Sequence, residues 1–183
     1  MRPFATHTAS LRRVGGLAAA FGAFLLTAAC PADGGGVDLD RAILLGDASD
    51  TVLAAMSDAV DSGLLKVQDD QAASLVTPEP GAVLDRTTPP QFAWSVPGQK
   101  ARRGGTDSGE FVWLSLSGGG LTRQIDVLAV SVTSWTPSAS EWAEISAATG
   151  PVTLTLTNAA AQAGVLTDGP YRASAPASFA IAP

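Results

Sequence analysis

An all-β sandwich is predicted over residues 74–183, preceded by a short amphipathic helix and a flexible tether. Short apolar runs from Ser74 onward are punctuated by Pro, Gly and Ser, which end strands and make turns. Several of these runs alternate apolar and polar residues, the period of two that gives a strand one buried and one wet face. The segment ahead of them, 38–73, has a helical period instead, so the character of the chain changes near residue 74.

The N-terminal end of the chain carries an address. Arg2, Arg12 and Arg13 supply a positive start, and Val14 to Ala29 is an apolar stretch of 16 residues. A permanent membrane helix needs about 20 apolar residues, so this stretch reads as a cleaved export signal. At its end Leu26-Thr27-Ala28-Ala29-Cys30 resembles the lipobox of bacterial lipoproteins, with Thr27 where leucine is usual. The resemblance implies cleavage before Cys30, acylation of the Cys30 thiol, and an exported protein held to the membrane of the cell envelope by its N-terminal lipid. Several acyl chains make such an anchor stable, each buried CH₂ adding about 0.8 kcal/mol. Pro31 rather than aspartate follows the cysteine, which favours the outer membrane. The expected division is a signal peptide at 1–29, an acylated cysteine and Gly-rich tether at 30–37, an Asp-rich segment at 38–73 and the β domain at 74–183.

Within 38–73, Ser49 or Asp50 caps a helix in which Val52, Met56 and Val60 recur at i, i+4 and i+8, with Leu53 beside them and Gly63 as the stop. Asp58 and Asp61 oppose the helix dipole near its C-terminal end, so its stability in isolation should be low. It either lies against the β domain or floats in the tether region.

The strands follow. Leu75-Val76 and Val83-Leu84 flank the turn Pro78-Glu79-Pro80-Gly81, and the prolines place the first strand at a sheet edge. Phe92, Trp94 and Val96 share the buried face of the next. Glu110 to Ser117 sets Val112, Leu114 and Leu116 on one side, with Phe111 and Trp113 on the other. Gly118-Gly119-Gly120 turns the chain into Leu121 to Val132. There Leu121, Arg123, Ile125 and Val127 share one face and Leu128, Val130 and Val132 the opposite one, which predicts a bulge or a change of sheet. Ser138 and Glu141 have capping-box spacing before Trp142 and Ile145, for a turn or two of helix closed by Gly150. Val152, Leu154 and Leu156 alternate with Thr153, Thr155 and Thr157 in the clearest half-buried strand, and Phe179 and Ile181 supply the last one.

Taken together, Pro78-x-Pro80-Gly81, Pro89-Pro90-x-Phe92-x-Trp94, Trp135-x-Pro137 with Trp142, the Thr/Val/Leu strand and the terminal Phe179-x-Ile181 resemble a fibronectin type III or related immunoglobulin-like domain. Trp94 matches the core tryptophan of the family's B strand. Val152 or Leu154 stands where the family usually has a core tyrosine. The resemblance covers about residues 74–183 and implies a binding, spacing or adhesion module without an inherited catalytic site.

Loss of 29 of the 183 residues leaves 154, enough for one domain with a sizeable core. Three of the 11 basic residues go with the signal, so eight face 17 acidic ones, a formal net charge of −9. Nucleic acid is not an expected partner of such a surface. His7, the only histidine, also leaves, and acylation consumes the only thiol. This excludes Ser-His-Asp and Cys-His catalysis, zinc sites built from His and Cys, and disulfides. Carboxylate chemistry, a Ser-Lys pair using Lys66 or Lys100, and oxygen-ligated calcium remain, each without a motif. The Asp-rich segment, with Asp38, Asp40, Asp69 and Asp70, lacks EF-hand spacing and reads as solvated charge. No metal and no cofactor are expected.

Four side chains stand out as candidates for ligand binding. Trp113, opposite the Val112 face, offers an indole for stacking on a sugar ring, unless Phe111 and Trp113 instead cover a sheet edge or meet the helix from Asp50 to Ser62. Lys100, Arg102 and Arg103 sit in the long loop Pro97 to Gly109 and suit an acidic polysaccharide or a lipid head group. The function expected is a non-catalytic envelope lipoprotein whose partner is an envelope protein or a polysaccharide. The alternatives are a carbohydrate-binding adhesin and a carboxylate-based glycosidase drawing on Asp107, Glu110, Asp126, Glu141, Glu144 or Asp168, which requires two of them facing across a cleft.

Overall fold

The structure, a computed structural model, describes residues 37–98 and 107–183. The signal peptide, Cys30 and the loop residues Lys100, Arg102 and Arg103 lie outside the described residues. A 3₁₀ turn at Leu39–Arg41 leads into β1 (Ile43–Leu45), α1 (Asp50–Asp61), β2 (Lys66–Val67), β3 (Ser74–Thr77), β4 (Val83–Leu84) and β5 (Phe92–Ser95). Then come β6 (Gly109–Gly118), β7 (Ile125–Val130), β8 (Ser134–Trp135), α2 (Ala139–Ser146), β9 (Val152–Gln162), β10 (Val165–Arg172) and β11 (Ala177–Ile181). The fold is β-dominated and has two sheets. One has eight strands in the order β1-β7-β6-β9-β10-β2, with β11 also on β9 and β4 on β11; the other has three, β3-β5-β8.

The large sheet is covered on both faces. On one side Val112, Leu114 and Leu116 of β6, Ile125 and Val127 of β7, and Val152 and Leu154 of β9 meet Phe92 and Trp94 of β5, Trp135 of β8, and Trp142 and Ile145 of α2. Phe92 stacks on Trp135 with ring centres 5.4 Å apart and meets Phe179 at 5.6 Å. On the other side Phe111, Trp113, Leu128, Val130, Ala159 and Ala161 meet Val52, Leu53 and Met56 of α1. Three layers result, with the small sheet and α2 on one face and α1 on the other.

This layering corrects the expected phase slip in Leu121 to Val132. Ile125, Val127 and Ala129 point to one core and Leu128 and Val130 to the other, and β7 pairs with β6 from Ile125 to Val130 without a register shift. The alternation never breaks; both faces are apolar because both are buried. The segment 38–73 is likewise part of the sheet. β1 pairs in parallel with β7, β2 pairs in parallel with β10, and α1 covers the face between them. The helix starts and stops as its pattern implies, with Ser49 at the N-cap and Gly63 just beyond the end, although the Ser49 hydroxyl caps no backbone N–H. The two strands flanking Pro78 to Gly81 separate, β3 joining the small sheet and β4 the end of β11.

Two tight contacts set the connections. Ser138 and Glu141 complete a capping box that starts α2. The Gly118-Gly119-Gly120 turn has positive φ at all three residues, and the Gly119 carbonyl accepts the Thr149 and Gly150 N–H groups at 2.8 and 3.1 Å, which fixes the entry into β9. A Cβ on Gly119 would meet the Gly150 and Pro151 carbonyl oxygens at 2.8 and 3.0 Å. Gly119→Ala is therefore expected to lower the unfolding free energy by about 2–3 kcal/mol. Gly63→Ala meets nothing within 4 Å, so it should cost only the φ penalty of about 1 kcal/mol. Urea denaturation followed by tryptophan fluorescence separates the two.

Candidate functional site

Trp113 is not a sugar-stacking surface. It is 6 % exposed, pressed between the large sheet and α1, and its indole N–H donates to Asp126 Oδ1 at 2.8 Å. The indole lies on the face opposite Val112, as the alternation requires, and α1 covers that face. Trp94, Trp135 and Trp142 are buried in the other core. The Trp142 N–H donates to the Arg86 carbonyl at 2.9 Å, whereas the Trp94 N–H has no partner among the described residues.

Three of the six candidate carboxylates serve the fold. Asp126 is buried and accepts from Trp113 and from the Gln124 amide at 2.9 and 3.1 Å. Glu141 closes the capping box, and Glu144 holds Arg123 at 2.8 Å. Asp107 adopts positive φ at the edge of the described loop. Glu110 and Asp168 do come together. Each is in register with Ala160 of β9, one from β6 and one from β10, so they flank the same small residue on one face of the sheet.

They line a polar cleft of about 400 Å³ with Asn158, Thr167, Gln71 and Tyr171. Tyr171, the only tyrosine, donates its hydroxyl to Asp168 Oδ1 at 2.7 Å, and Lys66 lies 3.8 Å from the same oxygen and 4.9 Å over the Tyr171 ring. The hydrogen bond to Asp168 raises the Tyr171 pKa above its ordinary value. Asn158 is buried beneath the cleft. Its Oδ1 accepts the Ala73 N–H at 2.7 Å and its amide donates to the Gln71 carbonyl at 3.1 Å, so one side chain clamps the approach to β3 onto β9.

A second, more apolar cavity of about 570 Å³ opens where β9 has no strand beside it. β10 pairs with β9 as far as Thr157 and β11 begins at Leu154, which leaves Thr155 and Leu156 unpaired on that side. Leu65, Val67, Leu75, Leu156, Pro176 and Arg172 are among its walls.

Neither hollow contains an imidazole or a thiol, and among the described residues no three acidic side chains gather as a metal site would require. No helix among the described residues is long and apolar enough to cross a membrane. The chain matches no family model, no curated protein and no solved structure.

Sequence reasoning missed Tyr171 and Asn158, and named Asp168 without its partners Tyr171 and Lys66. β10 contains Asp168-Gly169-Pro170, which reads as a turn; in the structure these residues form an irregular stretch within a strand whose register shifts twice. The alternation of β9 continued through Asn158 would have shown a polar residue on its buried face.

Two outcomes follow for stability. Asp126→Ala and Trp113→Phe should each cost about 1–3 kcal/mol, since the first leaves the buried Trp113 N–H without its acceptor and the second removes one of the two donors to the buried Asp126 carboxylate, and the double variant should cost less than their sum. Trp94→Phe, which removes an N–H without a partner, should cost less than either; urea titration of the four variants tests the order. Asp69 and Asp85 have pKa values held below the ordinary 3.8, Asp69 mainly by the Ser174 N–H and Asp85 mainly by the Thr87 hydroxyl. A lowered folded-state pKa gives stability that is present above the unfolded value and lost as pH falls through the folded one. Thermal melts between pH ~5 and ~2 should therefore fall less steeply for Asp69→Asn than for the wild type.

Proposed function

We propose that this protein is a non-catalytic, lipid-anchored lipoprotein of the cell envelope, acting as an interaction or structural module. The observation that carries the reading is Cys30 at the end of a lipobox-like signal, since cleavage there removes His7 and acylation consumes the only thiol. The likeness to a fibronectin type III or immunoglobulin-like sandwich belongs to the same reading. It is supported by two sheets packed around Phe92, Trp94 and Trp135, and the parallel additions β1, β2 and β4 and the helix α1 set this chain apart from the plain antiparallel sandwich. Outer-membrane placement rests on Pro31 after the cysteine.

A second reading has one observation in its favour. Tyr171, Asp168, Glu110 and Thr167 share an open polar cleft, a lining that suits a sugar's hydroxyl groups, so a carbohydrate-binding role moves from Trp113 to this cleft. A carboxylate-based glycosidase is less well supported, because Asp168 is already engaged by Tyr171 and Lys66.

Cells grown with labelled palmitate should incorporate it into the wild type and not into Cys30→Ser; an unlabelled wild type would reject the anchor. Crosslinking in intact cells is expected to trap an envelope protein or polysaccharide. On a glycan array, binding that disappears in Tyr171→Ala would favour the second reading, and silence across polysaccharides would remove it.

A further inference from the structure

The apolar cavity beside β9 is built by the fold rather than left by a missing side chain. Two strands share one side of β9, and the chain between them, residues 173–176, passes over Thr155 and Leu156 without pairing. Its volume, about 570 Å³, is that of a small-molecule site. Its walls are mainly apolar, with Leu65, Val67, Leu75 and Leu156 among them.

Among the described residues, Arg172 is the one charged side chain in those walls. It is half-buried, and its Nε–H donates to Thr157 Oγ1 at 3.0 Å. A guanidinium has five N–H donors, and Arg172 makes no ion pair among the described residues. Asp69 does not neutralise it: that carboxylate accepts the Ser174 N–H at 2.7 Å and the Ser174 hydroxyl at 3.0 Å. Burial lowers the Arg172 pKa, the mark of a cation that has lost solvent without gaining a counter-ion. A planar fork of free donors beside an apolar hollow matches a carboxylate carried on a hydrocarbon chain.

We propose that this cavity binds a small amphipathic anion, a medium-chain carboxylate by chemical class, with its head on Arg172 and its chain against Leu65, Val67, Leu75 and Leu156. The site is separate from the polar cleft at Tyr171 and does not depend on what that cleft binds.

The test uses the full chain carrying Cys30→Ser and three probes in calorimetry. Decanoate should bind at one site per chain. Decanol, with the same chain and no charge, should bind at least tenfold more weakly, and acetate, with the charge and no chain, should not bind. Arg172→Gln should weaken decanoate at least tenfold and leave decanol unchanged, while Val67→Trp should block both. Equal binding of decanoate and decanol, unchanged decanoate binding by a folded Arg172→Gln, or no decanoate binding at all would overturn the proposal. Amide shift mapping on the unsubstituted cavity keeps the test independent of that variant's folding. Decanoate should move Thr157, Leu156 and Ala177, and shifts confined to other parts of the sheet would overturn the assignment.

Discussion

The large sheet is apolar on both faces, and the rest of the structure answers that constraint. β6 and β7 each place large side chains above and below the sheet plane, and β9 adds Val152, Leu154 and Leu156 to one face and Ala159 and Ala161 to the other, so neither face is stable against water. The small sheet and α2 cover one face, and α1 covers the other. With no disulfide to staple the described residues, stability comes from these two packed interfaces and from hydrogen bonds that let a few polar groups be buried. Asp126 and Asn158 are such groups. Asp126 receives Trp113 and Gln124, and Asn158 receives one backbone group and supplies another, so each is buried with its partners in place.

β9 organises the sides of the sheet as the cores organise its faces. Along one edge it is paired with β6 over its length, and along the other it is divided between β10 and β11. Both hollows arise from this arrangement. The polar cleft lies over Ala160, where a small residue leaves room between Glu110 and Asp168, and the apolar cavity lies where the divided edge has no strand. The binding surfaces proposed for the protein are thus placed by strand pairing, with connecting segments such as 173–176 completing their walls.

Much of the fold was legible in the residues, and the gaps have physical causes. The alternation in β6 and β9, the capping box at Ser138 and the helix ended by Gly63 are local signals, and each element forms close to where those residues place it. What period alone does not reveal is which of two apolar faces has a partner. That is why α1 read as either docked or floating, and why the double-faced β7 read as a slip. The short strands β1 and β2 have too few residues for any period, and they depend on parallel partners far along the chain. For the same reason Trp113 read as either available or covered by the helix: its face is apolar, and only the position of α1 shows that the face is covered. The Tyr171 cluster depends on Lys66, Asp168 and Glu110, which meet only after three separate strands are in register.

The parallel pairing of β1 with β7 has a mechanical consequence. A pull on the N-terminal side of residue 37 reaches the domain through the short turn at Leu39–Arg41 and then runs along β1. Ile43, Leu44 and Leu45 sit beside Val127, Leu128 and Ala129 with both strands running the same way, so a load in line with the strand shears the pairing as a unit instead of peeling it one bond at a time. The segment through which such tension would enter is therefore held against it, and the first part to yield would be the turn ahead of β1 rather than either core.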